Sequence, residues 1–296
     1  MRYLVLLAIL CFHFYDSASA QIQEEERVGL LVMAHGGSSE WNKAVLDAVV
    51  PLTEAQPTAV AFGMADPKTL QTAVNELLNR RVTRIGIVRL FMSAESFLHS
   101  TEYAFGLRDD PPKPSYDGAT AKRLDLAVPA SISRSGLLDA STVGGILADR
   151  ALGLSSEPTE ETVLIVGHGT GDDVENDIWI QRMDDLADQV RTAAPFHKVV
   201  VNTLREDWTD KRGVVEEELR SFLRAEEAEG RIVLIIPFRL FGFGPYSDVF
   251  EGLNYRADSL GFLPDPRITT WIREQLQNVI ARLPVSDAIR TDSLSQ

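Results

Sequence analysis

The sequence is poor in the residues from which several kinds of site are built. It has a single cysteine, Cys11, which excludes a disulfide framework and a cysteine-ligated zinc site. Basic residues are in deficit: 29 Lys+Arg stand against 43 Asp+Glu, for a net charge of −14. Nucleic acid and anionic membrane surfaces call for a basic patch, so neither is expected as a partner. No segment reaches the roughly 18–20 apolar residues that a transmembrane helix needs. Neither a P-loop nor a G-x-G-x-x-G is present, so no nucleotide is expected. With 5 histidines in the chain, a metal site must come from these, from carboxylates or from main-chain oxygen.

What is there is ordinary for a globular protein. The 296 residues are 45% hydrophobic, enough for a proper core in one large domain or two modest ones. Met1-Arg2 leads into the apolar run Leu4–Phe14, and Ser17-Ala18-Ser19-Ala20 follows. A charged start, a short apolar stretch and small residues read as a signal peptide over 1–20. The expectation is an exported protein, periplasmic or secreted, free of the membrane after cleavage and then without any cysteine. No sequence feature fixes an oligomeric state.

The remainder repeats itself. Val28–Ala34 is an apolar strand running into His35-Gly36-Gly37, and Val163–Gly167 runs in the same way into His168-Gly169-Thr170. Continuous apolar runs bounded by glycine fit strands buried on both faces, as in parallel sheets covered by helices. After the first copy the pattern predicts a helix (40–55), a strand (58–63), a helix (68–80) and a strand from Arg84 to Met92. After the second come a helix (174–193), a strand (198–204), a helix (211–228) and a strand from Arg231 to Leu240. Each half closes with a further strand, near 123–130 and 257–263, and a helix, near 136–152 and 266–282. This alternation predicts an α/β fold of two duplicated, doubly wound parallel-sheet halves, 26–153 and 160–284, with a tail over 285–296. Ser155–Thr159 reads as the linker, and Asp109–Pro114 as an exposed loop.

In open parallel sheets ligands sit beyond the carboxyl ends of the strands. His35 and His168 each occupy that place. The third strand of half one leads to Glu95, His99 and Glu102, near the same sheet edge as His35. On a helix Glu95 and His99 would share one face. Two imidazoles and a carboxylate from separate loops suit a divalent ion of the Co, Ni, Fe or Zn range. Half two has no histidine in the matching stretch, so a single metal site belongs to half one, with His35, His99 and Glu95 as ligands.

These residues carry a resemblance. The strand-plus-His-Gly at His35 and His168, the helix entry Ala65-Asp66-Pro67-Lys68-Thr69-Leu70, and Arg89-Leu90-Phe91-Met92-Ser93 before His99 resemble the sirohydrochlorin cobaltochelatase/ferrochelatase (CbiX-like) family of class II chelatases, in its tandem double-unit form. Pro237 keeps a proline of that family's third strand, where Arg89 stands in half one. The resemblance implies a chelatase-like fold and a lyase that inserts Co²⁺ or Fe²⁺ into a tetrapyrrole, with His35 and His99 holding the metal and taking part in catalysis; the donor set admits Ni²⁺ as well. Insertion needs a base for two pyrrole N–H protons, for which neutral imidazole and a neighbouring Glu95 or Glu102 are suited. An anionic tetrapyrrole sits awkwardly with −14, which makes Arg89, Arg239 and His168 the candidates to bind it locally.

Two other readings use the same residues. An exported metal- or tetrapyrrole-binding protein would need no turnover. Met33–Asn42 also resembles histidine phosphatases, with His168 as the partner histidine. Phosphoryl transfer wants an arginine where Ala34 stands, and Asp172-Asp173 beside His168 would repel phosphate. An α/β-hydrolase would need a G-x-S-x-G elbow, which is missing.

Overall fold

The computed structural model describes residues 26–113 and 122–283, so the expected signal peptide and C-terminal tail lie outside the described residues. Runs of aliphatic residues form β1 (Val28–Ala34), β2 (Thr58–Phe62), β3 (Arg84–Leu90) and β4 (Ala130–Ile132). They make one parallel sheet in the order β2-β1-β3-β4. A second sheet repeats that order as β6-β5-β7-β8, from β5 (Glu161–Gly167), β6 (Lys198–Thr203), β7 (Ile232–Phe238) and β8 (Tyr255–Ala257). The duplicated α/β architecture is therefore what the chain forms.

The helices are α1 (Ser39–Thr53), α2 (Pro67–Asn79), α3 (Leu98–Ala104) and α4 (Ser141–Leu154) in the first half of the chain. The second half supplies α5 (Asp173–Ala193), α6 (Thr209–Ala228), α7 (Tyr246–Val249) and α8 (Pro266–Ile280). Local chemistry fixes their starts. Asp66 caps α2 by accepting from the amides of Lys68 and Thr69, with Pro67 at the first helical position; Asp265 caps α8 by accepting from the Arg267 amide, with Pro266 at the first helical position.

Alternation along the strands sorts the core into layers. Leu30, Val32 and Ala34 of β1 face one apolar cluster, whereas Leu31 and Met33 face another. In β5, Val163 and Ile165 join the first cluster, and Leu164 and Val166 a third. The first cluster is shared by both sheets and holds α1, α4, α5 and α8 between them. The terminal helix of each half packs on the sheet of the other. α4 lies against α5 and β7, while α8 lies against β3 and α1. Ile268, Ile272, Leu276 and Val279 of α8 are buried there, each stabilising the joined core by about 1.5–3 kcal/mol. A division by sequence at residue 153 thus cuts between α4 and the sheet it covers.

The closing strands differ from expectation. Each is a three-residue edge strand, 130–132 and 255–257. Leu124, Leu126 and Val128, which suggested a strand over 123–130, pack against the outer cluster of the first sheet without joining its ladder. Near 257–263 the chain turns, with the Phe262 and Leu263 amides donating to the carbonyls of Arg239 and Leu240. Among the described residues no helix is long and apolar enough to cross a membrane.

Candidate metal and ligand site at the sheet edge

β1 has β2 on one side and β3 on the other, so the chain reverses its winding between β1 and β3, where such sheets open a crevice at their carboxyl end. His35 is the first residue past β1. Its Nδ1 lies 2.9 Å from the carbonyl oxygen of Gly36. A carbonyl only accepts, so Nδ1 carries the proton and the lone pair of the neutral ring is on Nε2. Nε2 has no partner among the described residues, and the residue is exposed. The turn is possible because Gly36 adopts φ +83° with its α-carbon close to Phe62. Asn42, in the first turn of α1, accepts from the Gly37 amide at 3.0 Å and ties the turn to the helix.

Half two builds the same device. His168 Nδ1 donates to the Gly169 carbonyl at 2.8 Å, Gly169 has φ +77°, and Asn176 accepts from the Thr170 amide at 3.2 Å. The surroundings then diverge. Nε2 of His168 faces the Asp207 carboxylate at 3.2 Å, and the Trp208 ring stands edge-on to the imidazole, 6.0 Å between centroids. Both come from the loop after β6, where Arg205 is held at φ +58°. Hydrogen bonds from Lys211 and Arg205 hold the Asp173 carboxyl below the usual carboxylate range.

Arg239 lies one residue beyond β7 and is paired with Glu206, which also accepts from the buried Tyr246 hydroxyl at 3.1 Å. Burial works against the charge on Arg239, but Glu206 and Tyr246 outweigh it and raise the guanidinium above its ordinary value. Burial first, and then Glu206, push the Tyr246 phenol well up.

Arg89 has a different place. Strand register sets it opposite Met33 and makes Pro237, opposite Val166, its counterpart, so it is not equivalent to Arg239. Its side chain is 1% exposed and donates to the carbonyls of Ser133, Ser96 and Ala94. Burial pulls its pKa down to about 10, the nearby Glu95 and Glu102 charges working the other way. Arg89 is thereby corrected from a substrate-binding candidate to the residue that folds the loop after β3.

That loop ends in Phe97, at φ +55°, directly before α3. The left-handed residue separates Glu95 from the helix that carries His99, so the expected one-turn relation between the two is absent. Both still line one cleft of about 550 Å³, together with Phe97, Pro112 and Lys113. Glu102 is buried rather than on a solvated face, and its carboxylate accepts from Arg108 and Arg134. His99 Nε2 lies 3.0 Å from the Asp110 carbonyl oxygen and 3.2 Å from its carboxylate.

Among the described residues, no three His, Asp or Glu side chains are gathered closely enough to hold a metal ion together. The expected His35–His99–Glu95 set is therefore not preassembled. The physical reason is that Glu95 and His99 lie on opposite sides of the Phe97 turn and His35 on another loop. Sequence reading passed over Asp110, Glu206, Asp207 and Tyr246. The available signal is Arg205-Glu206-Asp207-Trp208, a charged run soon after an apolar strand, as His35 and His168 follow theirs.

No protein-family model matches this chain, and no curated protein matches it. Solved structures do. SirB from Bacillus subtilis, with Fe³⁺, is 16% identical at a TM-score of 0.62, the match covering 86% of this chain and 98% of that one. The sirohydrochlorin chelatase SirB from Bacillus subtilis subspecies spizizenii, in complex with cobalt, is 14% identical at a TM-score of 0.57 with the same coverage. The chain has the fold of these chelatases.

Proposed function

We propose that the chain is a sirohydrochlorin-chelatase-like lyase that places a divalent ion in a tetrapyrrole. Co²⁺ is the leading ion, with Fe²⁺ or Ni²⁺ as alternatives. The observation that carries the reading is His35. It stands at the carboxyl end of the central strand of a chelatase-type fold, with Nδ1–H spent on Gly36 and the Nε2 lone pair free.

The reaction exchanges one divalent ion for the two inner pyrrole protons, and no nucleotide takes part. His35 and His99 hold the incoming ion, with Glu95 on the His99 cleft as a third donor. An open, few-ligand arrangement suits an ion that has to be handed on, because a closed set of strong ligands would retain it. Once the ion moves to the macrocycle, the released imidazoles and Glu95 are the groups that take up the pyrrole protons. Arg239, fixed by Glu206 and Tyr246, and His168 hold substrate carboxylates from half two. Export follows from the reading of residues 1–20 as a signal peptide.

The test is an insertion assay with purified protein, Co²⁺ or Fe²⁺ and sirohydrochlorin, followed by the absorbance change of the macrocycle. A rate above the metal-alone control that is lost in His35→Ala is expected. A rate equal to the control overturns the enzyme. Tight binding without turnover would make the chain a carrier, and phosphate-monoester turnover lost in His35→Ala would make it a phosphatase.

A further inference from the structure

The loop after α3 ends in a contact that the metal chemistry above does not use. His99 Nε2 faces two oxygens of one residue, the carbonyl and the carboxylate of Asp110. Both can accept from a ring N–H, and neither donates. The proton of a neutral His99 therefore sits on Nε2, and its lone pair sits on Nδ1, which has no partner among the described residues. His35 has the opposite tautomer, with Nδ1–H on Gly36 and a free Nε2. Each imidazole has one nitrogen tied and one open.

Asp110 does not stand alone, although it is exposed. Arg108 Nη1 lies 3.6 Å from its carboxylate, and Arg108 Nε donates to Glu102 at 3.1 Å. Glu102 is 2% exposed, is held from the other side by Arg134 at 2.6 Å, and lies three residues after His99 on the same helix. The loop is pinned a second time. Arg123 reaches Asp109 at 3.2 Å while its guanidinium lies 4.5 Å over the Tyr103 ring. Two arginines thus hold the 107–110 segment against α3, and the buried glutamate at the root of the chain of contacts fixes one of them.

We infer that Asp110 is the positioning residue of His99: it takes the Nε2 proton, sets the ring's tautomer and orientation, and presents Nδ1 to the cleft as the metal-binding atom. This rests on the reading of His99 as a metal ligand. A metal-ligating histidine commonly gives its other N–H to a carboxylate or carbonyl, and such outer partners are worth about 10–100-fold in metal affinity. The alternative geometry has the opposite sign. If Nε2 were the ligating atom, Asp110 would cover it, and removing the carboxylate would strengthen binding.

The test has two readouts that do not depend on turnover. In the metal-free full chain, ¹⁵N chemical shifts of the histidine rings are expected to show a protonated Nε2 for His99 and a protonated Nδ1 for His35. In Co²⁺ titrations, Asp110→Ala, which removes the carboxylate and leaves the main-chain carbonyl in place, is expected to weaken binding by about 10-fold, the low end for an outer partner, with Asp110→Asn, which keeps a side-chain acceptor oxygen, closer to the parent. A protonated Nδ1 in His99, or Co²⁺ binding that is unchanged or tighter in Asp110→Ala, overturns the inference. Co²⁺ binding that ignores His99→Ala overturns it together with the assigned metal site. Failure of tetrapyrrole insertion alone overturns the lyase and leaves the role of Asp110 standing.

Discussion

Leu276 of α8 lies against Gly86 in the middle of β3, so close that a Cβ on Gly86 would stand 2.5 Å from Leu276 Cδ1. The last helix of the second half thus rests on the first sheet at a position where a Cβ would have to displace the end of the Leu276 side chain. Each sheet therefore takes part of its cover from a helix of the other half, α8 lying against β3 and α4 against β7.

Gly86→Val is expected to destabilise the whole chain by about 1–3 kcal/mol, the usual cost of overpacking a filled core. Valine favours strands on its own account, so a loss isolates the packing term. Urea unfolding should show one transition moved to lower denaturant. Two separated transitions would show that the halves fold independently.

Arg89→Lys is expected to cost about 2–3 kcal/mol, because one ammonium cannot serve three carbonyls that a guanidinium reaches in different directions. Hydrogen exchange should rise most in residues 94–98. Co²⁺ affinity should fall as well, since His99 follows that loop. Protection confined to its parent level would assign the loop's order to something else.

Tyr246 gives a pH dependence with a definite sign. Its phenol is raised in the folded state, so the contribution is complete below the unfolded value near about 10 and is lost as pH rises through the higher folded value. Stability should therefore decline on the alkaline side above about pH 10. In Tyr246→Phe that decline should flatten, at a cost of about 1 kcal/mol at neutral pH for the donor lost to Glu206. Denaturant melts from pH 8 to 11, paired with phenolate absorbance, read both effects.

His35 and His168 share a turn and differ in what surrounds Nε2. His35→Ala is expected to weaken Co²⁺ binding by about 10-fold or more, whereas His168→Ala should leave Co²⁺ affinity near the parent and raise KM for the tetrapyrrole. Calorimetric titration and insertion kinetics separate the two. Equal losses of Co²⁺ affinity would give half two a share of the metal site.

The repeated strand–helix order is legible in the residue pattern, because apolar runs and their flanking glycines and aspartates act within a few residues. The same pattern also marks the two His-Gly turns, which require glycine at a positive φ immediately after a buried strand. The remaining relationships arise from packing between distant segments. Arg89 and Arg239 look alike as charges near strand ends, but register puts one inside a wall of carbonyls and the other beyond its strand. One left-handed residue, Phe97, undoes the helical spacing that linked Glu95 to His99. Asp110 and Asp207 reach their histidines from separate loops, and the exchange of α4 and α8 depends on contacts between distant parts of the chain. Local pattern specifies elements through short-range sterics and capping, whereas side-chain partnership depends on register and packing across the whole core.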